Sequence, residues 1–333
     1  MDAPSGGEAA AQVGMPGPQG GSPGNPPPPP NQGAATPGTA GDLPSQPPAD
    51  PPGGSTDDPG QAGAGGGQDA PPPTPPMGDT CLQPGNGSYE ERGPYEIGTM
   101  DVSIGSSGMY TLFYPQPLED NCLHPIVVWG NGTAVEGSGV YAFFNDNAAS
   151  WGMVVAASHN ANVGSGTFHN EAADYLLAQN EDSSSIFFQK LSTRVGTSGH
   201  SQGGFGAMRG SAHPNVQAAV TVGATGTSTD KVSVLVLTGT NDIGAGAFAG
   251  LDRAGGPMFV ASWEGGDHFV TETLAGYVAR DPGTLQMQRL YAAWFRCFLG
   301  DDQVACGMFY GGTPGGCGIC SDPGWNMLGS SNM

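Results

Sequence analysis

The sequence predicts an α/β fold, a mostly parallel sheet covered by helices on both faces. Three observations lead there. Short, nearly unbroken apolar runs recur along the chain, helical patterns separate them, and a Gly-x-Ser-x-Gly pentapeptide falls where one strand would hand over to a helix. In chain order the runs are Met109 to Tyr114 (MYTLFY), Pro125 to Trp129 (PIVVW) and Met153 to Ala157 (MVVAA), followed by Val216 to Val222 (VQAAVTV), Val232 to Leu237 (VSVLVL) and Met258 to Trp263 (MFVASW). A strand buried on one face alternates apolar and polar residues; a parallel strand covered on both faces stays apolar throughout, as these do. Arg194 to Ser198 (RVGTS) is a further short strand just before the pentapeptide. Helices are expected over Tyr141 to Ser150, Glu171 to Gln179, Ser185 to Leu191 and Leu285 to Phe298, with one starting at Phe205 (FGAMRGSA). Strands alternating with helices give a doubly wound sheet with right-handed crossovers. Ligands then bind at the carboxyl ends of the strands.

The chain has 333 residues, of two kinds. Residues 1–78 are mostly Pro, Gly, Ala, Ser, Gln and Asp, and Met1 to Met77 contains no lysine, arginine or aromatic residue of the Phe, Tyr, Trp type. Such a stretch cannot bury enough apolar surface to offset its ordering entropy, so a disordered spacer is expected. Pro26 to Pro30 and Pro71 to Pro76 should be locally extended. Residues 79–333 have the length of one large α/β domain. The formal net charge is −21, from 30 acidic and 9 basic side chains. Nucleic acids and anionic membrane surfaces require a basic footprint, so neither is an expected partner. No apolar run is long enough for a transmembrane helix, and Met1-Asp2-Ala3-Pro4 does not open a signal peptide. A spacer ahead of a globular domain suits an exported or surface-tethered bacterial protein whose export signal has been removed.

Six cysteines lie in the folded part: Cys81, Cys122, Cys297, Cys306, Cys317 and Cys320. Six allow about fifteen pairings, and sequence does not choose among them. Proximity favours Cys81 with Cys122, Cys297 with Cys306, and Cys317 with Cys320. A zinc site built from the last four is the rival reading, though one close pair with uneven partner spacing fits a zinc ribbon poorly. Three disulfides, no metal and no cofactor are expected.

The pentapeptide Gly199-His200-Ser201-Gln202-Gly203, followed by Gly204, fits a nucleophile elbow. There the serine sits on a strained strand-to-helix turn, and small residues are needed on either side of it. The bare pattern is weak in a chain with 58 glycines; its place between a strand and a helix strengthens it. A serine hydroxyl needs a base to take its proton and a third group to orient that base. The chain order is serine, then acid, then histidine. Only His213 and His268 follow Ser201, and His213 sits at a helix-to-strand turn, the wrong end of the sheet. His268 follows the strand MFVASW and is the expected base. Asp242 follows VSVLVL-TGTN and is the expected acid. Asp267 competes, but residues adjacent in sequence usually point their side chains apart. For the developing oxyanion, the N–H of Gln202 is one expected donor. The second should come from Trp129-Gly130-Asn131-Gly132-Thr133, with Gly132 or Thr133 chosen. The neighbouring Asn131, Trp263 and Phe269 are expected to contact substrate. Only Gly223 to Lys231 separate VQAAVTV from VSVLVL, too few residues for a helical lid.

GPYEIGT (Gly93 to Thr99), PIVVWGNGTA, GHSQGG, LVLTGTND and EGGDHF follow one another in the order seen in bacterial cutinase-like polyesterases, and the chain resembles that group from Gly93 to Phe309. The ending AWFRCFLGDDQVACGMF is similar to the group's last helix and cysteine pair. The group belongs to the α/β-hydrolases and includes poly(ethylene terephthalate) hydrolases. The resemblance implies a cofactor-free serine carboxylesterase, monomeric, acting on an ester or polyester. The sequence departs from the group's pattern at three places. Gly132 stands where those enzymes usually carry an aromatic residue, Gln202 where they carry methionine, and Gly223-Ala224-Thr225-Gly226 offers no counterpart to their tryptophan. An aliphatic or small acyl substrate is therefore expected over an aromatic one. Two other readings stay open: an acetylxylan or feruloyl-type esterase or short-chain lipase, and a non-catalytic binding module on a hydrolase scaffold.

Overall fold

A computed structural model describes residues 80–82, 85, 87–226, 228, 231–243, 256–268, 281–310 and 317–331. Nine strands form one sheet: β1 (Glu96–Ile104), β2 (Gly108–Gln116), β3 (His124–Gly130), β4 (Val154–Ser158), β5 (Leu191–His200), β6 (Val216–Val222), β7 (Ser233–Gly239), β8 (Met258–Trp263) and β9 (Trp325–Ser331). Their order is β1-β2-β4-β3-β5-β6-β7-β8-β9. From β4 through β8 all neighbours run parallel; β1 with β2, β2 with β4, and β8 with β9 are antiparallel.

The described helices are α1 (Ala142–Ser150), α2 (Thr167–Glu181), α3 (Gln202–Gly210), α4 (Pro282–Gly300) and α5 (Gln303–Tyr310). Successive strand residues face opposite sides of a sheet, so the apolar runs feed two cores. Val127, Trp129, Val155, Ala157, Val220, Val222 and Leu235 face α1, α4 and α5, where Phe144, Leu290, Trp294 and Phe309 are buried. Ile126, Val128, Val154, Ala156, Ala219 and Val234 face the other way, onto Ala172, Ala173 and Leu176 of α2 and Met208 of α3. Those central strands needed no polar alternation because water reaches neither face.

Helix α4 begins where Asp281 accepts a hydrogen bond from the Thr284 N–H at 3.0 Å, with Pro282 in the first turn. Its far end carries a buried Arg296. The guanidinium donates through Nε to Asp302 Oδ2 at 2.7 Å and through Nη1 to the Trp151 carbonyl at 2.8 Å, and lies against the rings of Tyr89 and Trp151. Asp302 also accepts from Tyr89 Oη and, through Oδ1, from the Val304 N–H, so it starts α5 as well.

One expected helix is absent, and strands β1 and β9 and helix α5 are additional. Ser185 to Leu191 is not a helix: Phe187 N–H bonds the Ser185 hydroxyl, Ser184 N–H bonds the Asp182 carboxylate, and β5 already starts at Leu191. Such local side-chain bonds offer the backbone an alternative to helix. Strands β1 and β9 were not expected. They are antiparallel edge elements, and β1 alternates exposed and buried residues instead of forming an apolar run. The six cysteines pair as Cys81–Cys122, Cys297–Cys306 and Cys317–Cys320, which removes the zinc alternative. Val222 closes β6 and Ser233 opens β7, and the described residues between them form no helix. No helix among the described residues is long and apolar enough to cross a membrane.

Candidate active site

Ser201 occupies the single-residue turn between β5 and α3, with φ 52° and ψ −117°. A side chain at positive φ is strained, and here two glycines show why the turn can nevertheless close. A Cβ on Gly203 would fall on the carbonyl of Gly130 at the end of β3, and one on Gly199 would fall on the Gly203 backbone. The elbow is thus wedged against the neighbouring strand. The Ser201 N–H donates to the Val222 carbonyl at 2.8 Å, prolonging the β5–β6 ladder past its last regular residue. Below the turn, His169 of α2 bonds the Ser198 carbonyl at 3.0 Å through Nε2. A carbonyl can only accept, so Nε2 carries the proton; burial holds this imidazole down to about 4.

Three strand ends bring the predicted side chains together. His268 Nε2 lies 3.0 Å from Ser201 Oγ, and His268 Nδ1 lies 2.7 Å from Asp242 Oδ1. The Asp242 side chain is only 1% exposed, and its Oδ2 accepts from the Thr238 hydroxyl at 2.8 Å. Asp267, by contrast, is exposed. The turn after β7 and the loop after β8 are stitched together. Asn241 N–H donates to the Gly266 carbonyl at 2.8 Å, and Gly265 N–H to the Thr240 hydroxyl at 2.8 Å. The acid and the imidazole it contacts are therefore set by the same pair of loops. Gly223, at φ 61°, faces them; a Cβ there would come within 3.1 Å of Asp242 Oδ2 and within 3.0 Å of the His268 ring. Only glycine combines that backbone with that clearance.

In the loop after β3, Gly132 is buried, and its N–H donates to Tyr141 Oη at 3.3 Å. Thr133, next along, is exposed. Asn131 is fully buried, and its Nδ2 donates to the carbonyls of Gly137 and Ser158, both at 2.8 Å. Its side chain braces the loop from within. Gln202 opens α3, where the first amides have no acceptor within the helix. Trp263 is half-buried, packs edge-on against Trp325 at 5.3 Å between ring centroids, and covers Gly324. Phe269 lies outside the described residues. His213 sits between α3 and β6, bonded to Asp174 at 3.0 Å and remote from the serine's end of the sheet.

The sequence assigns no site role to His200, Tyr141 or Thr238. His200 lies inside the pentapeptide and is fully buried, with Nδ1 2.9 Å from Tyr141 Oη and Nε2 2.8 Å from the His268 carbonyl. Tyr141 was read only as the start of a helix. Thr238 and Tyr141 carried no signal, because hydroxyls at strand and helix ends are common in any sequence.

A mostly parallel doubly wound sheet with a Gly-x-Ser-x-Gly elbow at the end of its central strand β5 is the architecture of an α/β-hydrolase. Within that class the family model for PETase, described as PET hydrolase-like, matches residues 81–312, and the chain belongs to that family. Membership makes the protein a carboxylic ester hydrolase at the family level. A search of curated proteins gave no match.

Proposed function

We propose that the protein is an exported serine esterase that cleaves polyesters, with Ser201 as nucleophile, His268 as base and Asp242 as the orienting acid. The observation that carries the reading is the continuous contact from Ser201 Oγ to His268 Nε2 at 3.0 Å and from His268 Nδ1 to Asp242 Oδ1 at 2.7 Å. Ser201 Oγ attacks the ester carbonyl while Nε2 takes its proton. The imidazolium returns that proton to the departing alcohol, leaving an acyl-serine. Water, deprotonated by the same nitrogen, then releases the acid. Asp242 stays ionised and keeps the Nδ1–H directed at itself. The N–H groups of Gln202 and Thr133 hold the oxyanion, since the Gly132 amide is turned toward Tyr141.

A polymer as substrate is favoured by three features. The short β6–β7 connection leaves no room for a lid between those strands. Phe205, whose N–H bonds the Ser201 carbonyl, is 43% exposed, and Ile243, next to Asp242, is 78% exposed. Large apolar side chains left in water beside a reactive serine suit an apolar chain lying across it. Glycine at 132 and 223 and glutamine at 202 provide no aromatic clamp, which favours aliphatic over terephthalate esters. Three disulfides fit an oxidising compartment and hence export. The test compares p-nitrophenyl esters of increasing chain length with films of an aliphatic polyester and of poly(ethylene terephthalate), using Ser201→Ala as control. Hydrolysis of the soluble esters and the aliphatic film, lost by at least about 10⁴-fold in the variant, is the expected result. Release from acetylated xylan but from neither film would replace the polyesterase reading with a carbohydrate esterase.

A further inference from the structure

The triad contacts do not use the His200 imidazole, yet it contacts both Tyr141 and the main chain of His268. Its ring is fully buried, one residue before the nucleophile, with its centroid 4.8 Å from that of His268. The direction of its hydrogen bonds follows from the partners. Nε2 faces the His268 carbonyl at 2.8 Å, and a carbonyl only accepts, so Nε2 carries the proton. In that tautomer Nδ1 is an acceptor, and the group 2.9 Å away is the Tyr141 hydroxyl, which donates to it. The hydroxyl oxygen in turn accepts the N–H of Gly132 at 3.3 Å. One directed chain therefore runs from the Gly132 amide through Tyr141 and His200 to the main chain of His268. Tyr141 itself is immobilised against Trp129, at 5.0 Å between ring centroids.

We propose that His200 is a positioning residue: its imidazole joins the loop carrying Gly132 and Thr133 to the main chain of His268 and fixes both relative to Ser201. The chemistry demands such a link. Thr133 N–H holds the oxyanion and His268 Nε2 moves protons at the other oxygens of the same tetrahedral intermediate, yet the two sit on loops after β3 and β8, which lie far apart in the sheet order. A misplacement of about 1 Å costs on the order of 10²-fold in rate. A shared buried bridge removes that freedom without touching substrate.

This inference rests on the esterase reading, so the experiment separates the two. Kinetics on a soluble p-nitrophenyl ester are compared for wild type, His200→Asn, His200→Gln, Tyr141→Phe and the double variant His200→Asn/Tyr141→Phe. The asparagine amide replaces Nδ1 but cannot reach the His268 carbonyl, whereas the glutamine amide places a donor where Nε2 was. Expected are a fall in kcat of about 10- to 100-fold in His200→Asn with KM little changed, and recovery of most of it in His200→Gln. Tyr141→Phe, which removes one oxygen from a ring that stays packed, should also lower kcat. The double variant should be about as slow as His200→Asn alone, well short of the product of the two single effects, since both substitutions cut one chain; a double variant as slow as that product would overturn the proposal. Equal activity of His200→Asn and wild type would overturn the proposal, as would a loss confined to KM or a glutamine variant no better than asparagine. Should the His200 variants not fold, an unchanged kcat in Tyr141→Phe would overturn it alone. A wild-type protein that neither hydrolyses the ester nor labels at Ser201 with a fluorophosphonate would defeat the esterase reading and this inference together.

Discussion

Asp242 and Asp267 both stand near His268, one by the fold and one by the chain. The Asp242 carboxylate is buried and divides its oxygens between His268 Nδ1 and the Thr238 hydroxyl, while Asp267 is exposed. Replacing an orienting carboxylate by its amide permits the wrong imidazole tautomer and lowers kcat by about 10⁴-fold in the protease triad. Asp242→Asn is expected to fall by that order on a soluble ester, and Asp267→Asn to retain most of its turnover. The reverse ranking, with both variants folded by circular dichroism, would move the acid to Asp267. The ordered sequence of serine, acid and histidine made these residues legible, because each follows a recognisable apolar strand. The contacts of His200 and Gly132 were not legible, for a different reason. Whether an amide faces a substrate or a tyrosine depends on a loop's path, and no pattern of residue types records that.

At the scale of elements, the junction of α4 and α5 is built around the buried Arg296–Asp302 pair. Burial alone would raise the Asp302 carboxyl, but the adjacent Arg296 guanidinium outweighs it and holds it below the ordinary carboxylate range. A buried pair broken on one side leaves an uncompensated charge, which costs about 3–5 kcal/mol. Arg296→Met should lose stability of that order in urea unfolding, with the ester activity of the surviving folded fraction retained. A loss below about 1 kcal/mol would show that water reaches Asp302 in solution. The central strands were legible because their faces are both covered. Strands β1 and β9 were not, since an edge strand with Gly98 or Gly329 inside it has no continuous apolar signal. Helix α5 was hidden as well; its first turn depends on Asp302 and its position on the Cys297–Cys306 disulfide.

At the scale of the whole molecule, two buried histidines couple stability to pH. His124 bonds the Gly152 carbonyl through Nδ1, His169 bonds the Ser198 carbonyl, and burial lowers both to about 4. Unfolded histidine titrates near 6.5, so between about 6.5 and 4 the unfolded chain binds protons that the folded one refuses. Stability therefore falls as pH drops through that window, and each histidine accounts for about 3 kcal/mol across it. His124→Gln should lose about 2–3 kcal/mol less than wild type between pH 7 and pH 4.5. Equal losses in the two proteins would mean that His124 is hydrated. The spacer reading of residues 1–78 is tested at the same scale. A chain beginning at Gly78 should keep its turnover on soluble esters, and a folded but inactive truncation would assign the leader a role in catalysis.

The central claim is that Ser201 is a nucleophile activated by His268. Incubation with a fluorophosphonate, followed by intact mass and peptide mapping, reads this directly. One adduct per chain, on Ser201 and absent from Ser201→Ala, with labelling slowed severely in His268→Ala, is the expected result. An adduct on another serine, or a folded wild-type protein that takes up no probe, would contradict it.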